Sequence, residues 1–258
     1  MLGMSEKNTT TIIASTMSDK ILEVIGFSLD ACIAAAEAGA HRIELCDNPA
    51  EGGTTPSYGF IKAARDAVNI DLFPIIRPRG GDFLYSDAEF DAMKADVEVC
   101  KGLGCDGVVI GMLLSDGRVD KKRCRDLVQM AYPMSVTFHR AFDRTHHMLE
   151  ALEDVIEIGC ERILTSGGVP NALNGAEQLK LLVEKAANRI VIMPGSGVNA
   201  ANIAQIAAIT GALEFHSSAR KQMPSGMDFN QPTMNESLMS FGVDTAEIKG
   251  MLESLSAI

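Results

Sequence analysis

Short runs of β-branched and other apolar residues recur along the chain, separated by longer stretches in which apolar positions fall three and four apart. The short runs lie at 21–25 (ILEVI), 41–46 (HRIELC), 72–77 (LFPIIR), 107–112 (GVVIGM), 135–140 (SVTFHR), 162–166 (RILTS), 189–193 (RIVIM) and 213–218 (LEFHSS). Their length and composition predict strands. The stretches at 28–38 and 86–103 have helical spacing, and the second opens with Ser86 and Glu89 at the capping-box separation. Gly39, Gly104 and Gly159 stand where a helix ends in a left-handed C-cap before the next strand.

Eight such strand–helix units in one chain predict an α/β protein with a closed parallel sheet, the TIM (β/α)8 barrel, as a single domain over 20–258. A doubly wound open sheet would carry a GxGxxG turn after its first strand, and the stretch at 23–30, EVIGFSLD, is not one. Residues 1–19 read as a polar leader. After Arg220 the pattern breaks: 221–240, KQMPSGMDFNQPTMNESLMS, is polar and proline-bearing, and reads as a lid, a partner surface or a disordered loop. Helical spacing resumes near 244.

Charge narrows the function classes. A formal net charge of −11 opposes sequence-independent nucleic-acid binding, which needs a basic surface to displace counterions. No basic amphipathic helix suggests a membrane surface, and no apolar run is long enough to span a bilayer. The first twenty residues lack the basic start and apolar block of a secretory signal. Six cysteines (Cys32, Cys46, Cys100, Cys105, Cys124 and Cys160) show no CxxC pairing and read mainly as small buried hydrophobes.

The unexpected chemistry is at the predicted strand ends, where barrels place their reactions. Side chains two apart on a strand share a face, which groups Arg42 with Glu44 and Cys46, Arg77 with Arg79, and Glu214 with His216 and Ser218. Ile43, Leu45, Phe138 and Phe215 alternate with them and suit the helix-facing side, so the polar sets point inward. Charges there must pair or meet a ligand. For Glu23, Arg42 and Glu44, bracing of the interior and function both stand as readings. For Arg77, Arg79, His139 and His216, nearer the rim, the gathering of basic groups calls for an anion or for carboxylates.

After the seventh strand, Gly195, Ser196 and Gly197 make a GxG turn before a helix that Asn199 is expected to cap, in the region where barrels often hold phosphate. The expected anion-binding set is therefore Arg77, Arg79, His216, Gly195, Ser196, Gly197 and Ser218, with Glu44 or His139 as acid or base. No lysine ends a predicted strand, which sets a Schiff-base aldolase aside.

The stretches RIELC (42–46), EGGTTPSYG (51–59), IRPRGGDFLYSDAE (76–89), DGVVIGML (106–113), VTFHRAFD (136–143), RILTSGG (162–168), VIMPGSGV (191–198) and EFHSSAR (214–220) resemble, in order, the CutC family of copper homeostasis proteins. The resemblance runs from about Lys20 to Arg220. It implies a TIM-type barrel in the cytoplasm, a homodimer or higher homo-oligomer, and Cu(I) binding. Cys46 would be the thiolate ligand, since soft sulfur suits Cu(I), with Glu23, Glu44 or His139 beside it. Many relatives have Glu-Val-Cys on the first strand; here Glu23-Val24-Ile25 lacks that second thiol, and Met112, Met193 or a histidine would have to replace it. Two functions stay open: copper homeostasis through Cu(I) binding, and an enzyme acting on a small anionic, perhaps phosphorylated, metabolite.

Overall fold

The computed structural model describes residues 20–258, and the expected leader at 1–19 lies outside them. In chain order the barrel elements are β1 (Ile21–Gly26), α1 (Leu29–Glu37), β2 (Arg42–Leu45), α2 (Tyr58–Ala67), β3 (Asp71–Pro74), α3 (Asp87–Gly102), β4 (Gly107–Ile110) and α4 (Lys121–Ala131). They continue with β5 (Ser135–Phe138), α5 (Met148–Ile158), β6 (Arg162–Thr165), α6 (Ala176–Ala186), β7 (Val191–Pro194), α7 (Ile203–Thr210) and β8 (Glu214–Ser217). A hairpin of β9 (Arg220–Met223) and β10 (Ser240–Val243) then leads into α8 (Thr245–Ser256).

All eight barrel strands run parallel, in two ladders ordered β3-β2-β1-β8 and β4-β5-β6-β7. The ladders meet where Ile75 bridges Val109 and the Ile76 N–H donates to the Val109 carbonyl at 2.8 Å. On the far side β7 lies against β8. The ring therefore runs in sequence order, and the fold is a TIM barrel. Parallel strands need a crossover between them, which is why a helix follows each strand.

Local sequence accounts for the boundaries. Ser86 accepts from the Glu89 N–H and the Glu89 side chain returns to the Ser86 N–H, completing the capping box that starts α3. Gly159, at φ 97°, ends α5 in the left-handed conformation. Two boundaries differ from expectation. The strand expected at 189–193 is observed at Val191–Pro194, because Ala187 and Asn188 both take positive φ and the chain is still turning. Helix α7 starts after Asn202, whose side chain makes no capping bond, rather than after Asn199, which instead accepts the Ala201 N–H within a preceding turn.

The outward faces of the strands and the inward faces of the helices form one buried cluster, including Leu22, Val24, Ile43, Leu45, Phe138 and Phe215 at 0 % exposure. Each fully buried side chain of this size contributes about 2 kcal/mol. The segment 221–240 is neither closed over the mouth nor shapeless. Its ends pair as the antiparallel β9–β10 hairpin, with a single 3-10 turn at Pro232–Met234 in the connection. No described helix is long and apolar enough to cross a membrane.

Candidate functional site

The barrel interior is charged rather than apolar. Glu23 of β1 accepts from Arg42 Nε of β2 at 2.5 Å, and Glu214 of β8 accepts from Arg42 Nη2 at 2.5 Å and from Arg162 Nε of β6 at 2.8 Å. The Phe73 ring lies near both guanidiniums, 5.0 Å from Arg42 and 5.4 Å from Arg162. Two arginines and two glutamates thus neutralise one another, which is the condition for burying any of them.

Above this floor is an acid–base couple. His216 Nδ1 lies 2.7 Å from Glu23 Oε1, while its Nε2 is 3.7 Å from Glu44 Oε2. Burial disfavours ionised Glu23, but Arg42 and His216 overcome it and hold the carboxyl down at about 2. Burial and the negative charge of Glu23 push Glu44 up to about 7, against the pull of His216 and Arg42. Burial works against charged His216 as well; its hydrogen bond to Glu23 and the charges of Glu44 and Glu23 outweigh that and raise its pKa above the usual value. Glu44 and His216 therefore stand side by side as a proton acceptor and a proton donor.

The raised Glu44 makes a testable stability difference. A carboxyl whose folded pKa exceeds its ordinary value contributes stability below about 4.5, and loses it as the pH rises through about 7. Glu44→Gln stays neutral throughout. Its unfolding free energy, followed by denaturant titration, is expected to gain on that of the parent between pH 5 and pH 8, by at most about 3 kcal/mol. Parallel pH dependences in the two proteins would show that Glu44 ionises normally.

The mouth opens above the couple as a cavity of about 540 Å³, lined among others by Glu44, Arg77, His139, His216, Ser218 and Arg220. That size suits a small ligand. Arg77 is buried, and its guanidinium donates only to carbonyls: Nη1 to Glu51 at 2.7 Å and Gly53 at 2.8 Å, Nη2 to Gly81 at 3.0 Å. It stacks 5.1 Å from the Phe83 centroid, and its Nε has no partner among the described residues. His139 Nδ1 accepts the Ala141 N–H at 3.1 Å, which leaves the ring proton on Nε2, and Nε2 too has no partner. Burial, aided by the Arg77 charge, lowers the His139 pKa to about 3. It is a neutral hydrogen-bond donor at any physiological pH, and does not titrate there as the acid or base expected of it.

Other expected residues sit differently. Arg79 does not line the cavity. Its Nε is held by Glu89 at 2.6 Å, its Nη atoms donate to the carbonyls of Gly80 and Leu84, and it stacks on Tyr85. It ties the loop after β3 to the start of α3. Gly195 lies behind the cavity wall, where a Cβ would meet Leu164 at 2.4 Å and His216 at 3.3 Å. Ser196 and Gly197 line the cavity, but the Ser196 hydroxyl donates to the Pro170 carbonyl at 2.7 Å, so only backbone is free there. Glu51, Phe83, Arg144 and Arg220 also line the mouth. Nothing in strand periodicity points to them, since all four lie on loops or on the hairpin.

Cys46 is wholly buried in a small cluster with Phe73, Ile75 and Val109, beneath Ile25 and Phe27. Burial, reinforced by the charges of Glu44 and Glu23, drives its thiol pKa well above the usual value. All six cysteines are free and buried. Among the described residues, the one group of metal-binding type is Glu23, Glu44 and His216, with ligand atoms within 4.8 Å of one another. It contains no sulfur. These donors do not fit the two-thiolate Cu(I) site that the sequence resemblance suggests.

An eight-stranded parallel barrel with a polar, partly cationic mouth defines the structural class. The chain belongs to the CutC family, whose model matches residues 20–221. A CutC family protein of Chromobacterium violaceum is 57 % identical over 213 residues, 83 % of this chain and 86 % of that protein. The human copper homeostasis protein cutC homolog is 47 % identical over 214 residues, 83 % of this chain and 78 % of its own. Among solved structures, the CutC protein of Streptococcus agalactiae superposes with a TM-score of 0.74 at 34 % identity, covering 77 % of this chain and 98 % of that one.

Proposed function

We propose that this protein is an enzyme performing acid–base chemistry on a small oxyanionic metabolite bound in the barrel mouth. One observation carries the proposal: Arg77 and His139, each with a buried N–H that has no acceptor among the described residues, line the same cavity as Glu44 and His216. A buried donor without a partner costs about 1–3 kcal/mol, a cost that a ligand oxygen would relieve. In this role Arg77 and neutral His139 hold an anionic or carbonyl oxygen, Glu44 moves the proton, and Glu23 keeps His216 oriented and charged for it.

Isothermal titration with inorganic phosphate and with citrate tests the binding half. Citrate binding that weakens in His139→Ala, which removes the donor, is the expected result. No measurable binding of either anion between pH 6 and pH 8 would sink the proposal. A cytoplasmic location and a homo-oligomeric state belong to the same proposal, supported by family membership.

Copper is the second reading, favoured by what the human and mouse relatives are called. In this chain it would use the oxygen and nitrogen donors of Glu23, Glu44 and His216. The buried, protonated Cys46 is not expected to take part. Cys46→Ser should therefore leave Cu(I) affinity unchanged in competition with a chelator; a tenfold loss would put the thiolate back in the site.

A further inference from the structure

Three guanidiniums line the mouth with no carboxylate partner among the described residues. Arg77 meets only carbonyls, Arg144 makes no ion pair, and Arg220 has the Pro49 carbonyl at 3.4 Å and the face of Phe241 at 5.0 Å. The other lining arginine, Arg140, is already paired with Asp143 at 2.8 Å. On the acidic side the mouth offers the carboxylates of Glu51 and Glu44. Arg77 is buried while Arg144 and Arg220 stand exposed at the rim, so the cationic side of the mouth reaches from its inner wall to its edge.

The free donors also fall into two groups. Arg77 follows β3 and His139 follows β5, flanking β4. Strand β8 stands opposite β4 in the ring, and the second group lies there. The N–H groups of Ser196, Gly197 and Ser218 have no acceptor among the described residues, and all three residues line the cavity. Their peptides are held in place from behind. The Ser196 carbonyl accepts the Ala172 N–H at 2.9 Å, and the Gly197 carbonyl accepts from the Asn202 side chain at 2.8 Å. Because carbonyl and N–H point oppositely across a trans peptide, the bond to Ala172 turns the Gly197 N–H the other way. Ser196 and Gly197 both take left-handed φ, 76° and 73°.

We infer that the mouth takes a ligand with two anionic ends: a short phosphorylated carboxylic acid. Its carboxylate end meets Arg77 and His139, and its phosphate end meets the Gly197 and Ser218 amides beside Arg220. The inference rests on the proposed oxyanion site and extends it across the ring. It places the carbon chain over His216 and Glu44, because the missing side chain of Gly195 lets the phosphate-side turn pass directly against the His216 ring. The carbon atoms between the two ends are then the ones within reach of the proton-transfer couple.

Titration calorimetry at pH 7 with three probes decides the matter: 2-phosphoglycolate, which carries both ends, and inorganic phosphate and glycolate, which carry one each. The expected result is that 2-phosphoglycolate binds at least about 30-fold tighter than either single-ended probe, as joining two ends predicts. Arg220→Met, an exposed position whose folding a melting curve checks, should weaken 2-phosphoglycolate about tenfold and leave glycolate unchanged. Equal affinity for 2-phosphoglycolate and the better single-ended probe overturns the two-ended ligand. So does an Arg220→Met variant that weakens glycolate as much as 2-phosphoglycolate. In both cases glycolate binding that needs Arg77 would leave the simpler oxyanion site standing. Absence of binding by all three probes removes both.

Discussion

Replacing Glu23 with alanine is expected to cost about 3–5 kcal/mol, the usual penalty for leaving one partner of a buried ion pair uncompensated. The Glu23 carboxylate is fully buried and serves two cations at once, Arg42 through one oxygen and His216 through the other. Without it, Arg42 and Arg162 share the single carboxylate of Glu214 in the centre of the barrel. For a chain of this size the melting temperature should fall by on the order of 10 °C. A second readout separates packing from electrostatics. His216 owes its raised pKa largely to Glu23 and Glu44, so in Glu23→Ala the imidazole should titrate lower, as followed by the NMR shift of its ring protons. Exchanging both partners, as Glu23→Leu with Arg42→Met, should recover much of the stability, because two apolar groups need no counter-charge. A Glu23→Ala loss under about 1 kcal/mol, with the His216 titration unmoved, would mean that the interior network braces nothing.

The same network shows how far the sequence could be read. Alternation on β2 and β8 set Arg42 and Glu44 on one face and Glu214 and His216 on another, and both sets are inside the barrel, because a two-residue period holds wherever the backbone is extended. Closure of the ring was legible from the repeating strand–helix units, since parallel neighbours demand crossovers. Arg79 marks where that reasoning stops. The β3 ladder ends at Pro74 and Ile75–Ile76 continue it only by a bridge, so by Arg79 the chain is a turn and alternation no longer assigns a side. A charged partner decided instead: Glu89, already fixed by the α3 capping box, draws the guanidinium away from the mouth. Residues such as Phe83, Arg144 and Arg220 reach the cavity through loop paths that depend on contacts far away in sequence. The hairpin was invisible for another reason. Its strand Arg220–Met223 is exposed along its whole length, so no buried face imposed a period.

Arg77 is where bracing and binding can be told apart, because one guanidinium could serve both. Its three bonds to the carbonyls of Glu51, Gly53 and Gly81 gather two loops over the mouth, yet none of them lies in the barrel sheet. Arg77→Met keeps the long apolar stem against Phe83 and removes the charge and all donors. The barrel should survive, with a melting temperature lowered by a few degrees as the loops slacken. Affinity for citrate should fall by about 10- to 150-fold, the equivalent of one charge-assisted hydrogen bond at about 1.5–3 kcal/mol. His139 supplies an internal check. Part of the depression of its pKa comes from the Arg77 charge, so in Arg77→Met the imidazole should titrate higher, by an amount limited by the burial that remains. Arg77→Lys restores the charge and lifts that change, but lacks the planar fork and should not restore binding. If Arg77→Met unfolds the protein, or folds and still binds the anions at parental affinity, then the buried guanidinium is a staple between loops and the mouth recognises its ligand by other means.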